Sequence, residues 1–136
     1  MSDVLGSPLS GGKLAPGGSK LVLAEWNAQG TSQGEQPQYQ APLHLHHDAD
    51  EAWYVLAGRL KVRIGNDEYD VPAGAAVIGP RGAPHTFWNP DPAPARYVIV
   101  MSSQTSAMLD ALHGAGSLSP VEMSEIFARY GCELLP

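Results

Sequence analysis

The chain has 136 residues, enough for one domain and too few for two independent cores. Hydrophobic residues make up 43% and charged residues 16%, and 15 Gly with 12 Pro disfavour a helical bundle in favour of short strands joined by tight turns. Eight Lys and Arg against 14 Asp and Glu leave a net charge of −6, with no basic run to neutralise a phosphate backbone, so no nucleic acid is expected as a partner.

Residues 1–19 are rich in Gly, Ser and Pro and read as a loosely docked N-terminal arm without the apolar core of a signal peptide. No stretch approaches the length needed to span a bilayer, so no membrane partner is expected. The lone Cys132 excludes an intrachain disulfide and is compatible with a reducing compartment; the expectation is a soluble, cytoplasmic protein. Lys20–Trp26 reads as the first strand, and residues 27–37 as a polar surface loop, a candidate lid.

From Gln38 onward short apolar runs recur between turn signals, the pattern of an antiparallel sandwich or barrel. Gly58 and Gly65-Asn66-Asp67 each read as a hairpin turn, which predicts a meander through this region. After Met101 the pattern turns helical. Ser106–His113 forms a first short helix, and Ser119-Pro120-Val121-Glu122 supplies an N-cap, a first-turn proline and a capping-box glutamate for a second that ends at Gly131. The chain thus divides into an arm (1–19), a β domain (20–104) and a C-terminal helical appendage (105–136). Ile126, Phe127 and Tyr130 are placed to pack that appendage on the β domain.

Histidines carry the chemistry. In an extended segment His44 and His46 project to one face, and Leu45 and His47 to the other, so two imidazoles can chelate one ion while His47 faces away. Glu51 opens an apolar run whose parity it shares with Trp53 and Val55, and a carboxylate entering an apolar interior needs a cation or hydrogen-bond partners. His85 follows a Gly/Pro-rich turn, residues 79–84, and leads a run in which Phe87 and Asn89 share its face. Three imidazoles and one carboxylate suit a divalent transition ion, with open positions for a substrate. Trp53, Val55, Phe87 and Asn89 either line a substrate pocket or are plain core. Arg81 is either an exposed loop residue or a contact for an acidic substrate, and His113, near a helix end, reads as a surface residue.

His44-Leu45-His46, four residues, Glu51, six residues and Gly58 resemble the first motif of the cupin superfamily. Gly74, five residues, Pro80, one residue, Gly82, two residues, His85, three residues and Asn89 resemble the second without a mismatch. The fifteen residues between Gly58 and Gly74 are similar to the spacing in small single-domain bacterial cupins; Gln38 departs from the expected glycine, at a turn rather than a ligand. The resemblance spans residues 38–101 and implies an all-β fold, a cupin-type jelly-roll β-barrel with short C-terminal helices. It further implies one divalent transition metal ion per chain (Fe, Mn, Ni, Cu, Co or Zn) held by His44, His46, Glu51 and His85. A homodimer in which an N-terminal strand packs on the partner is also implied.

This fold hosts many chemistries. The leading expectation is a quercetinase-like, metal-dependent oxidoreductase of the dioxygenase type acting on a small, aromatic, oxygen-bearing substrate, with Glu51 as ligand and catalytic proton acceptor. Redox-neutral isomerisation or cyclisation is one alternative, and non-catalytic small-molecule binding is another.

Overall fold

The computed structural model describes residues 4–9 and 11–136; of the arm, residues 1–3 and 10 lie outside the described residues. Among the described residues, ten strands form two antiparallel five-stranded sheets. The first sheet holds β1 (Lys13–Leu14), β2 (Leu21–Ala28), β9 (Ala95–Ser102), β4 (Glu51–Ala57) and β7 (Ala76–Gly79), in that order. The second holds β10 (Cys132–Leu134), β3 (His44–His46), β8 (His85–Trp88), β5 (Arg59–Ile64) and β6 (Asp67–Pro72). Two helices, α1 (Ser103–Gly114) and α2 (Pro120–Arg129), lie between β9 and β10. Among the described residues no helix is long and apolar enough to cross a membrane.

Alternation decides which side chains meet. Along β9 the inward residues are Ala95, Tyr97, Ile99 and Met101, and along β4 Trp53 and Val55; these meet Leu60, Val62, Val71 and Phe87 of the second sheet in one core. The expected meander is corrected at one point. Residues 65–66 do turn a hairpin, with Ile64 opposite Asp67, but β4 and β5 do not pair. Instead β4 lies between β9 and β7, β5 lies between β8 and β6, and Gly58 is the corner at which the chain leaves one sheet for the other. Its φ of 74° disfavours a side chain, and a Cβ there would come within 3.1 Å of Ala95 Cβ. A hairpin and a corner both demand such a glycine, so the residue alone does not distinguish them.

The loop after β2 is tied down at its base. Thr31 donates from its backbone to Asp91 O at 2.9 Å and from its hydroxyl to Asn89 O at 2.9 Å, and Gly30 lies so close to Pro92 that a Cβ would overlap that carbonyl. The arm is likewise engaged: Lys13 and Leu14 pair with Ala24 and Leu23, and Lys13 Nζ donates to Ser106 Oγ (3.0 Å) and Asp110 Oδ1 (2.6 Å) on α1.

Helix α1 starts three residues earlier than the sequence pattern indicates, capped by Ser102, whose hydroxyl accepts from Thr105 N. Helix α2 carries the expected capping box, Ser119 with Glu122, and Pro120 in its first turn. Met108 of α1 and Ile126 and Phe127 of α2 form a second small core with Cys132. Gly131, at φ 75°, then turns the chain into β10, a strand that the appendage was not expected to contain.

Candidate metal centre and cavity

Strand β3 is three residues long, and its pattern is buried, half-buried, buried. His44 and His46 therefore point inward together, as their parity requires. His85 at the start of β8 is directly opposite His44 in the ladder. It is delivered by the turn at residues 80–84, which is held on two sides: Gly82 N donates to His46 O at 2.7 Å, and Arg81 clasps Asp50 through its backbone (2.9 Å), Nε (3.2 Å) and Nη2 (3.0 Å). Arg81 is thus engaged next to Glu51 and is not a free cation at the cavity.

The three imidazoles are buried, and one nitrogen from each lies within 4.8 Å of the others. Each ring is gripped from behind. His44 Nδ1 is 2.6 Å from Pro42 O and His85 Nδ1 is 3.2 Å from Ala83 O; a carbonyl only accepts, so both rings carry their proton on Nδ1 and turn a bare Nε2 to the interior. His46 Nδ1 meets Cys132 Sγ at 3.0 Å and Thr105 Oγ1 at 3.4 Å. Burial and the neighbouring His85 push His44 down to about 4, so it is neutral at pH 7, the form that ligates a metal.

Glu51 reaches the same point from the other sheet. Its oxygens lie 3.5 Å from His46 Nε2 and 3.6 Å from His85 Nε2, beyond good hydrogen-bond length, and both nitrogens are buried without a partner among the described residues. Burial raises the Glu51 carboxyl; hydrogen bonds and charge from the facing His46 and His85, which act only when those rings also carry a proton on Nε2, outweigh it and hold the group below the usual carboxylate range. Two orphaned imidazole nitrogens beside a buried carboxylate fit a divalent ion, for which His44, His46 and His85 form a suitable donor set, with Glu51 beside them.

A cavity of about 350 Å³ opens from His44, His85 and Glu51 between the sheets. Of the four candidate pocket residues, Trp53 and Phe87 line it, and Val55 and Asn89 do not. Val55 is fully buried in the core. Asn89 is a backbone clamp: its amide donates to Ala28 O (3.2 Å) and Ala93 O (2.6 Å), and its Oδ1 accepts from Asp91 N (3.0 Å). Parity assigns a face but not a depth along the strand, so it does not separate these two from Trp53 and Phe87. His47, as expected, faces out, 3.6 Å from exposed Glu133.

Tyr97, Ile99, Met108 and Leu109 also line the cavity without a signal in the sequence, and so does His113, which the sequence reads as a surface residue. The first two lie on β9 among many equivalent apolar positions, and the last three are brought over the opening by α1. His113 is exposed, yet its ring lies edge-on to Trp26 at 6.3 Å, at the mouth rather than away from it. The Tyr97 hydroxyl is pushed well above the usual phenol range by burial and then by Glu51, so it remains a proton donor. Trp53 Nε1 is buried without a partner among the described residues. No Lys or Arg is among the described residues lining the cavity.

The family model for the cupin domain matches residues 33–101. No curated protein matches the sequence significantly. Among solved structures, TT1209 from Thermus thermophilus is 28% identical, with 62% of this chain and 74% of that one covered, at a TM-score of 0.52. An uncharacterised Klebsiella pneumoniae protein with a double-stranded β-helix domain is 25% identical over 61% of this chain and 67% of that one, TM-score 0.50. A putative sugar phosphate isomerase from Acidithiobacillus ferrooxidans is 23% identical over 63% of this chain at a TM-score of 0.54; only 52% of that longer protein is covered, and the likeness is one of fold.

Proposed function

Since this chain belongs to the cupin domain family, we propose that its two sheets close as a jelly-roll barrel and that it is a cytoplasmic, metal-dependent oxidoreductase of the dioxygenase type, acting on a small aromatic molecule that carries oxygen. The observation that carries this reading is the cluster of three buried imidazoles, two with orphaned Nε2 atoms, of which His44 and His85 line a cavity walled by Trp53, Phe87 and Tyr97. A bound divalent ion would supply Lewis acidity to a substrate hydroxyl and, if redox-active, an electron route to dioxygen. Glu51, buried and ionised, is positioned to accept the hydroxyl proton. Trp53 and Phe87, with ring centroids 5.5 Å apart, offer a rigid aromatic wall, and Trp53 Nε1 and the Tyr97 hydroxyl offer donors to a substrate oxygen. A phosphorylated sugar fits less well, because no Lys or Arg lines the cavity among the described residues.

The test is oxygen uptake by protein loaded in turn with Fe, Mn, Ni, Cu and Co against a panel of phenols and diketones. Substrate-dependent uptake is expected, reduced about 10²–10⁴-fold by Glu51→Gln. Background uptake across the panel overturns the reading. In that case anaerobic turnover would indicate isomerisation or cyclisation on the same carboxylate, and a ligand that raises the melting temperature and is recovered unchanged would indicate a binding protein.

A homodimer belongs to the same proposal. On the outer face of the first sheet, Ala52 lies between Val100 and Ile78, and Tyr54 between Val98 and Ala76, with Ile78 63% and Tyr54 43% exposed. This apolar surface suits a second copy of the chain. Light scattering is expected to give twice the 14.4 kDa chain mass and, for Ile78→Glu, the chain mass; a monomeric parent at working concentration removes the claim.

A further inference from the structure

The histidine motif and its carboxylate lie within residues 44–85, yet one of the three rings is held by a residue far beyond them. His44 and His85 bond to carbonyls two positions earlier in the chain, so their orientation is a local matter. His46 is different. Its Nδ1 faces Cys132 Sγ across 86 positions of sequence, and the contact exists because β10 pairs with β3 with Cys132 directly opposite His46.

The sulfur is not a fourth ligand by geometry, since it meets the outer nitrogen of the ring while Nε2 faces Glu51. The thiol proton has its own acceptor in the Tyr130 carbonyl, 3.6 Å away, so the sulfur presents a lone pair to Nδ1. A proton on Nδ1 leaves Nε2 bare. Thr105 Oγ1, 3.4 Å from the same nitrogen, is itself held by Ser102 Oγ at 3.0 Å. The thiol is buried, at 4% exposure, inside the small core of Met108, Ile126 and Phe127. The helices after β9 therefore do more than cover the sheets: α2 and Gly131 aim β10 at the back of the metal centre.

We infer that Cys132 is a positioning residue for the metal centre, fixing His46 as the Nδ1-protonated tautomer with Nε2 turned to the ion. This rests on the metal-binding reading of the three imidazoles. It assigns a role in the site to the C-terminal strand, which lies outside the segment matching the family model.

The test uses the full chain with Cys132→Val, which fills the space without the hydrogen-bonding proton and lone pairs, and Cys132→Ser, which restores them. Nitrogen-15 NMR of the metal-free protein reads the His46 tautomer directly, and Co²⁺ binding in competition with a chelator reads affinity together with the cobalt d–d spectrum. The parent is expected to show Nδ1–H at His46. Cys132→Val should give mixed tautomers, a roughly 10–100-fold weaker Co²⁺ affinity and an altered spectrum, and Cys132→Ser should return all three toward the parent. A Cys132→Val protein with the parent tautomer and Co²⁺ affinity overturns the inference. So does a Cys132→Ser protein as weak as Cys132→Val, which would make the thiol a packing residue. A parent that binds no Co²⁺ overturns the metal reading itself, and the tautomer measurement then reports separately whether Cys132 holds the ring.

Discussion

Alanine in place of His85 is expected to weaken binding of a divalent transition ion by more than the roughly 10–100-fold typical of losing an outer-shell partner. His85 is 1% exposed, its Nε2 has no partner among the described residues, and it is the one imidazole of the three contributed by β8 rather than β3. Without it, His44 and His46 form a two-imidazole site beside Glu51. The measurement is metal content by elemental analysis on untagged protein, with thermal unfolding beside it. For the parent, an ion at a hundred times its dissociation constant should add about 2.7 kcal/mol to stability, and His85→Ala should lose that increment. Near-stoichiometric metal retained by the variant would refute the three-imidazole centre. Acid gives an independent check on the metal-free protein. His44 is pushed down to about 4 in the folded state from an ordinary 6.5. Its contribution is full above pH 6.5 and is lost as the pH falls toward 4, because the unfolded chain takes up the proton first. Metal-free His44→Gln should show a flatter melting profile over that window.

Trp53→Ala is expected to cost about 3 kcal/mol, the lower end of the ~3–5 kcal/mol range for removing a buried aromatic. The ring is 1% exposed and touches His85 at 5.4 Å and Phe87 at 5.5 Å between centroids. Two features keep the loss near the lower end. One side of the ring borders the cavity, so fewer packing contacts disappear, and its Nε1 has no hydrogen bond to lose. Urea unfolding should show a lower midpoint with an unchanged slope, the sign of altered stability rather than an altered denatured state. A loss below about 1 kcal/mol would place the ring outside the core. Trp53→Phe should recover most of the stability while enlarging the cavity, separating the ring's packing from its contact with substrate.

The site was largely legible because its determinants are short-range. His44 and His46 are two apart on a strand, and period-two geometry sends them to one face without reference to the rest of the chain. Ser119, Pro120 and Glu122 likewise announce α2 through bonds that close within one turn. That His85 pairs with His44, 41 positions away, and that Glu51 of the first sheet meets His85 of the second, 34 positions away, requires distant strands to align, and only the resemblance to a family supplied that expectation.

What the sequence by itself determined is the period: which residues alternate inward, where glycine must bend the chain, and where helices begin. Tertiary structure decided depth and partnership. It made Gly58 a corner rather than a hairpin, took Asn89 and Val55 away from the cavity, moved His113 to its mouth, and brought Cys132 to His46. The physical reason is that alternation and capping are set by local backbone geometry, whereas strand pairing and cavity lining arise from long-range burial, for which many registers satisfy the same pattern of apolar residues.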